Sequence, residues 1–174
     1  MQKYKRGHAE FRGIVDAPID DVWELLTDWA NFERWWVKPE DGGRPGPNIA
    51  SVELVGAPNE VPRTRIVRHV TGSAVDAPLW LTDDVTKRIV YDMVFRPNPN
   101  GAVLRSEFRN YLATTMLDSL PTGETLMTFK SEFDIVEEAD TNLMISLIER
   151  TYSDAILNGF RKYFERQKAQ TVPA

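Results

Sequence analysis

The 174-residue sequence contains no cysteine and only two histidines, His8 and His69. Without cysteine, the chain can form neither disulfides nor thiolate metal sites, and it has no thiol nucleophile. With two imidazoles, a histidine-rich zinc or iron site is not expected. A metal-dependent function is therefore not expected, and none of the candidate functions considered below requires a cofactor.

Long apolar runs and an excess of positive charge are also missing. No segment approaches the roughly 20 apolar residues that span a membrane, and no apolar signal-peptide core is present, so we expect a cytoplasmic protein. The net charge is −5, from 21 basic and 26 acidic residues, and the basic residues are scattered along the chain. Nucleic acid is therefore not an expected partner. The length predicts one domain over residues 1–174.

The first part of the chain predicts a strand followed by two short helices. Residues 7–15 form the strand, which ends at Asp16-Ala17-Pro18. Apolar residues recur at helical spacing over residues 19–29, and residues 31–36 form a second short helix. The glycine- and proline-rich segment 41–48 is a loop.

The central part of the chain predicts an antiparallel sheet with one apolar face. We expect strands at residues 49–55, 64–70, 79–82, 89–95, 104–116 and 125–136. In the last of them, Met127, Phe129, Ser131 and Phe133 alternate with Lys130, Glu132 and Asp134. The same alternation in the preceding strand puts Asn110 and Leu112 on the face of Phe108. A sheet of this kind must cover its apolar face.

The C-terminal part supplies that cover. Residues 142–170 predict a long amphipathic helix with Gly159 in its interior. Glycine costs roughly 1 kcal/mol there relative to alanine, which indicates close packing or room for a ligand. The expected fold class is α+β, with a curved antiparallel sheet of about seven strands around a long C-terminal helix.

Three segments carry a resemblance to a known family. They are VDAPIDDVWELLTDWANFERWW, the pattern formed by Asp84, Arg88 and Tyr91 in DDVTKRIVY, and GFRKYFERQ near the end. Together they resemble the polyketide cyclase/dehydrase and lipid-transport branch of the START/Bet v 1-like (SRPBCC) superfamily. The resemblance implies a helix-grip fold, in which the sheet wraps around the C-terminal helix and encloses a cavity.

The implied cavity fits an apolar or aromatic ligand. From the strand alternation we expect its sheet wall to include Ile89, Met93, Phe95, Phe108, Leu112, Met127, Phe129, Ser131 and Phe133, and its helix wall to include Ile148, Tyr152, Ala155 and Ile156. The alternative is that these side chains simply fill the interior. Residues 72–78 and 96–101 are expected to form loops near the entrance.

Four polar residues are candidate catalytic groups. Tyr91 and Asn110 lie on predicted inward faces, where they could act as an acid or polarise a carbonyl or enolate. Buried polar groups satisfied by their neighbours are an equally good interpretation. Arg65 and His69 share one face of their strand, and the pattern does not decide whether that face is inward. If that face is inward, Arg65 could bind a planar anion and His69 could act as a general base.

These residues leave three functions open. The first is binding or carriage of a small hydrophobic molecule of polyketide, aromatic or lipid type. The second is a cofactor-independent polyketide cyclase or dehydratase that uses Tyr91, Asn110, Arg65 and His69. The third is protein interaction, including a homodimer, through an aromatic patch near Trp35 and Trp36.

Overall fold

The computed structural model describes residues 3–36, 49–58, 60–70, 72–96 and 108–171. The strands are β1 (Tyr4–Val15), β2 (Ile49–Val55), β3 (Arg63–His69), β4 (Ala74–Asp83), β5 (Arg88–Asp92), β6 (Val94–Arg96), β7 (Phe108–Ser119) and β8 (Thr125–Val136). Helix α1 (Ile19–Thr27) and a 3-10 turn (Phe32–Arg34) follow β1. At the end of the chain, α2 (Thr141–Arg150), a π-helical segment (Thr151–Leu157) and α3 (Asn158–Thr171) form one continuous C-terminal helix. None of the described helices is both long and apolar enough to cross a membrane.

The strand pairs of the described residues are all antiparallel and belong to one eight-stranded sheet. The strand order is β1-β8-β7-β5-β4-β3-β2, and β6 pairs with β4. β1 and β8 pair without interruption from Tyr4 opposite Val136 to Val15 opposite Thr125. The predicted α+β helix-grip fold, with an antiparallel sheet and a long C-terminal helix, is confirmed.

Strand β4 is longer than the sequence predicts. Residues 72–78 were expected to form a loop, but Ala74–Pro78 belong to β4 and pair with β3. Val75, Ala77 and Leu79 are buried and alternate with more exposed residues, as a half-buried strand requires. Pro78 is tolerated because it lies opposite the break between β5 and β6, where no strand pair is formed. Of the second expected loop, residues 96–101, only Arg96 is among the described residues, and it belongs to β6.

A β-bulge in strand β7 reverses the direction of its side chains. Arg109 pairs with Asp134 and Leu112 with Glu132, so β7 has one more residue than β8 between these two pairs. Asn110 lies at the bulge with φ 49°, is exposed, and donates a hydrogen bond to Asp134 at 2.6 Å. The expectation that Asn110 and Leu112 face inward is therefore wrong, because one extra residue moves every later side chain to the opposite face.

The bulge makes a testable prediction about Asn110. Asn110→Ala is expected to lower the free energy of unfolding by about 1–2 kcal/mol, because alanine is strained at positive φ and the bond to Asp134 is lost. Asn110→Gly loses the same bond without the strain, so it is expected to cost less than Asn110→Ala. Urea titration of both variants measures the difference. Equal losses would show that backbone strain at position 110 is unimportant.

The C-terminal helix packs directly against the segment that follows α1. A Cβ atom added at Gly159 would overlap the backbone carbonyl oxygen of Trp35, so the predicted close packing at this glycine is present. The Trp35 ring lies 4.6 Å from the ring of Phe160, and its side chain is only 5% exposed. Trp35 therefore belongs to the core, and it offers almost no exposed surface to the aromatic patch that the third candidate function would use.

Candidate functional site

A cavity of about 370 Å³ lies between the concave face of the sheet and the C-terminal helix. Its walls are mostly aromatic and aliphatic. The residues expected to line it that do so are Ile89, Met93, Phe95, Phe108, Phe129, Ile148, Tyr152, Ala155 and Ile156. Three of the four candidate catalytic residues, Tyr91, Arg65 and His69, also lie in its wall. The face of β3 that carries Arg65 and His69, which the sequence pattern left undecided, is therefore the inward one.

Four residues expected in the wall are not there. Leu112 is 38% exposed on the outside of the sheet, as a result of the bulge. Met127, Ser131 and Phe133 are buried but do not line the cavity. At Phe133 the reason is clear, because the ring of Tyr111 stacks on it at 5.7 Å and forms the wall in its place.

Several wall residues were not predicted as ligand contacts. Tyr111 and Thr115 face the cavity only because the bulge turns them inward. Asparagine, which tolerates positive φ better than most residues, was the one local signal for that bulge. Trp29, Phe32 and Trp36 also belong to the wall, and they form one end of the cavity.

Arg65 provides a positive charge inside the cavity. Its guanidinium carbon lies 3.9 Å from the centre of the Trp29 ring and 4.3 Å from that of Phe32. Its Nε is buried and has no hydrogen-bond partner in the residues that the structure describes. Burial lowers the pKa of Arg65 from 12.5 to about 10, because the charged form loses contact with water. The side chain is therefore still a cation at neutral pH.

Tyr91 lies next to the same end of the cavity. Its ring contacts Trp29 edge-on at 5.1 Å, and Trp29 is fixed by a hydrogen bond from Nε1 to the carbonyl oxygen of Ala77 at 3.2 Å. Burial raises the pKa of Tyr91 to about 12, so its hydroxyl stays protonated at neutral pH. Arg65 and Tyr91 therefore both contact the ring of Trp29 at this end of the cavity.

Tyr111 and Tyr152 form a second polar contact in the wall. Their hydroxyl oxygens are 3.2 Å apart, and the ring of Tyr152 stacks on Phe129 at 5.2 Å. Burial raises the pKa of Tyr152 well above its usual value, so this hydroxyl is also protonated. The pair links the sheet to the π-helical segment, and π-helical segments are frequent at functional sites.

His69 and Asn110 are not close to Arg65. His69 Nδ1 lies 2.9 Å from the hydroxyl of Ser73. Four residues along an extended strand separate it from Arg65, which is a distance of about 13 Å. Asn110 lies outside the cavity altogether. Of the four candidate catalytic residues, the structure therefore brings only Arg65 and Tyr91 together.

Comparison with known proteins agrees with this geometry. The family model described as polyketide cyclase / dehydrase and lipid transport matches residues 8–165. The solved structure of the protein XoxI from Bacillus cereus has a TM-score of 0.69 at 18% identity, covering 92% of this chain and 98% of that one. An NMR structure from Thermobifida fusca has a TM-score of 0.66 at 21% identity, covering 91% and 93% of the two chains.

At these identities the structural neighbours show a shared fold and nothing further. A search of curated proteins gave no match to the sequence. The family model spans most of the chain, and the motifs at residues 15–36, 83–91 and 159–167 that carried the resemblance all lie partly or wholly inside the matched range. The chain belongs to the polyketide cyclase/dehydrase and lipid-transport family of the START/Bet v 1-like superfamily.

Proposed function

We propose that the protein binds a small hydrophobic molecule of polyketide, aromatic or lipid type in the cavity between the sheet and the C-terminal helix. The observation that carries this proposal is the unfilled space of about 370 Å³ behind walls of aromatic and aliphatic side chains. Protein interiors are normally packed to crystal-like density, with few voids larger than a water molecule. A space of this size lies within the range of small-molecule pockets.

The polar groups of the wall favour binding over catalysis. General acid–base catalysis at neutral pH works best with a group whose pKa is near 7. The pKa of Tyr91 is raised to about 12, and His69 lies about 13 Å along the strand from Arg65. Among the described wall residues, the only carboxylate is that of Asp154, an exposed residue of the π-helical segment. The groups around Arg65 are therefore suited to holding and orienting a ligand.

Filling the cavity tests the proposal. N-phenyl-1-naphthylamine, a neutral fluorescent probe, is expected to bind the purified protein, and Ile156→Trp is expected to weaken that binding at least tenfold by occupying the space. Leu143→Trp is the matched control, since Leu143 is 53% exposed on the same helix and does not line the cavity. Fluorescence titration measures both. Equal binding by wild type and Ile156→Trp would place the probe elsewhere and contradict the proposal.

A cofactor-independent cyclase or dehydratase is the second candidate. It is favoured by the contact of both Tyr91 and Arg65 with one ring, that of Trp29, which brings a hydroxyl and a cation into the same part of the cavity, where they could act on one carbonyl. Native mass spectrometry followed by denaturing extraction would identify any compound that the protein carries and supply a substrate to assay.

Tyr91→Phe distinguishes the two candidates. For a binding protein, we expect this variant to hold the extracted compound within about fivefold of wild type, because one hydrogen bond is lost. For an enzyme that uses Tyr91, turnover of the compound would fall by about 100-fold or more. Circular dichroism of the variant controls for misfolding. Full turnover in Tyr91→Phe would exclude a chemical role for this hydroxyl.

A further inference from the structure

Arg65 forms no ion pair in the part of the chain that the structure describes. The charge of the exposed Glu33 favours the cationic form of Arg65, but the opposing effect of burial is larger. Neither an ion pair nor a hydrogen bond joins its guanidinium to another described residue. Of the other charged wall residues, Arg150 and Asp154 are exposed on the C-terminal helix. Interior charges are normally paired and hydrogen-bonded. An unpaired interior cation therefore needs an explanation.

A purely structural role for this cation does not explain it. Trp29 is already held by its hydrogen bond to Ala77 and its edge contact with Tyr91. An aliphatic side chain at position 65 would pack against Trp29 and Phe32 without carrying a charge away from water. The guanidinium has five N–H donors, and a structural role leaves all of them unused among the described residues.

The surroundings of Arg65 have an excess of donors. Trp36 lies in the wall, and the buried Nε1 atoms of Trp35 and Trp36 have no acceptor within the described part of the chain. The Tyr91 hydroxyl, near the same end, forms a hydrogen bond with Thr115 and is not one of these unsatisfied donors. Buried donors normally have acceptors. Among the described residues, this end of the cavity therefore lacks acceptors for Arg65 Nε and for two indole N–H groups, and a negatively charged acceptor would also neutralise Arg65.

We propose that the bound molecule carries a planar anionic oxygen group, a carboxylate or an enolate, which binds Arg65 at the end of the cavity formed by Trp29, Phe32 and Trp36. The proposal rests on the hydrophobic-ligand function above and names the chemical class of that ligand. The flat guanidinium fits a two-oxygen anion through two parallel N–H bonds. The apolar body of the molecule then lies along the aromatic walls toward the C-terminal helix.

A pair of matched competitors tests this assignment. 2-Naphthoate and 2-naphthamide have the same rings and nearly the same planar end group, but only naphthoate is charged. Each is titrated against N-phenyl-1-naphthylamine bound to the purified protein. In wild type we expect naphthoate to displace the probe at a concentration at least 30-fold lower than naphthamide. In Arg65→Met the two competitors are expected to act within about threefold of each other, while the neutral probe still binds.

Arg68→Met is the matched control. Arg68 lies three residues further along β3 on the opposite face, where it is exposed and bonded to Glu53 at 3.2 Å. This variant removes the same charge from the same strand and is expected to keep the full naphthoate preference. Arg65→Lys keeps a positive charge but loses the planar guanidinium, so it is expected to keep only part of the preference for naphthoate over naphthamide. Arg65→Gln replaces Arg65→Met if the methionine variant does not fold.

The outcomes separate this inference from the proposed function. If the probe binds and Ile156→Trp blocks it, but naphthoate shows no preference in wild type, the hydrophobic pocket stands and the anion assignment is overturned. A preference that survives in Arg65→Met, or is lost equally in Arg68→Met, also overturns it. If Ile156→Trp leaves probe binding unchanged, the proposed function itself fails, and this inference with it.

Discussion

Replacement of Gly159 by alanine is expected to lower the free energy of unfolding by about 3 kcal/mol or more. In an unconstrained helix the same change would stabilise by about 1 kcal/mol, because alanine is the better helix former. Here the new Cβ would overlap the carbonyl oxygen of Trp35, which is backbone and cannot rotate away. The helix must therefore move outward, and the packing of Trp35 on Phe160 must loosen.

Gly13→Ala is the matched control for this prediction. A Cβ at Gly13 would also overlap a neighbour, but the overlapping atom is Cδ2 of Leu157, the end of a side chain that can change rotamer. We expect this variant to lose about 1 kcal/mol or less. Thermal and urea unfolding of the two variants give the comparison. A small loss in Gly159→Ala would show that the C-terminal helix and the 3-10 turn are not tightly packed.

Most of the fold was predictable because its patterns are local. In β8 the alternation of apolar and charged residues gave both ends of the strand correctly, residues 125–136. Strand β4 was predicted too short because Pro78 was interpreted as a loop residue. A proline is allowed there only because β5 and β6 leave a gap opposite it, and a gap between other strands is not visible in the local sequence.

The cavity wall was less predictable because one residue changes it. Alternation gave the inward face of β8 and β5 correctly, including Phe129 and Tyr91. In β7 the bulge at Asn110 exchanged the two faces, so Tyr111 replaced Asn110 in the interior. A bulge costs little and depends on pairing with the next strand, so the residues of one strand do not determine it.

The orientation of Arg65 could not be derived from its own strand. Arginine on an inward face contradicts the usual rule that charged residues face water, and β3 is mixed on both faces. The contacts that hold the guanidinium come from Trp29 and Phe32, more than 30 positions earlier in the chain. Sites that break a local rule in this way are often functional.

Arg65→Met is expected to stabilise the empty protein, raising its free energy of unfolding at pH 7 by about 1–3 kcal/mol. The guanidinium is withdrawn from water and forms no ion pair with a described carboxylate, and this burial lowers its pKa to about 10 although the charge of Glu33 acts in the opposite direction. At pH 7 it is still charged, so the folded state bears the full cost of burying the charge. Contact with the rings of Trp29 and Phe32 returns only about 0.5–2 kcal/mol. Methionine keeps the apolar stem and removes the charge.

Urea unfolding at pH 7 measures this difference, with Arg68→Met as the control. The exposed ion pair between Arg68 and Glu53 is expected to contribute less than about 0.5 kcal/mol to the free energy of unfolding. A loss of stability in Arg65→Met would instead show that the cation holds Trp29 and Phe32 in place. If Arg65→Met gains stability and also loses the preference for naphthoate, then Arg65 lowers the free energy of unfolding of the empty protein while it serves to bind the anion. A cost of this kind is expected where a side chain serves a ligand, because the charge becomes favourable only when an anion binds it.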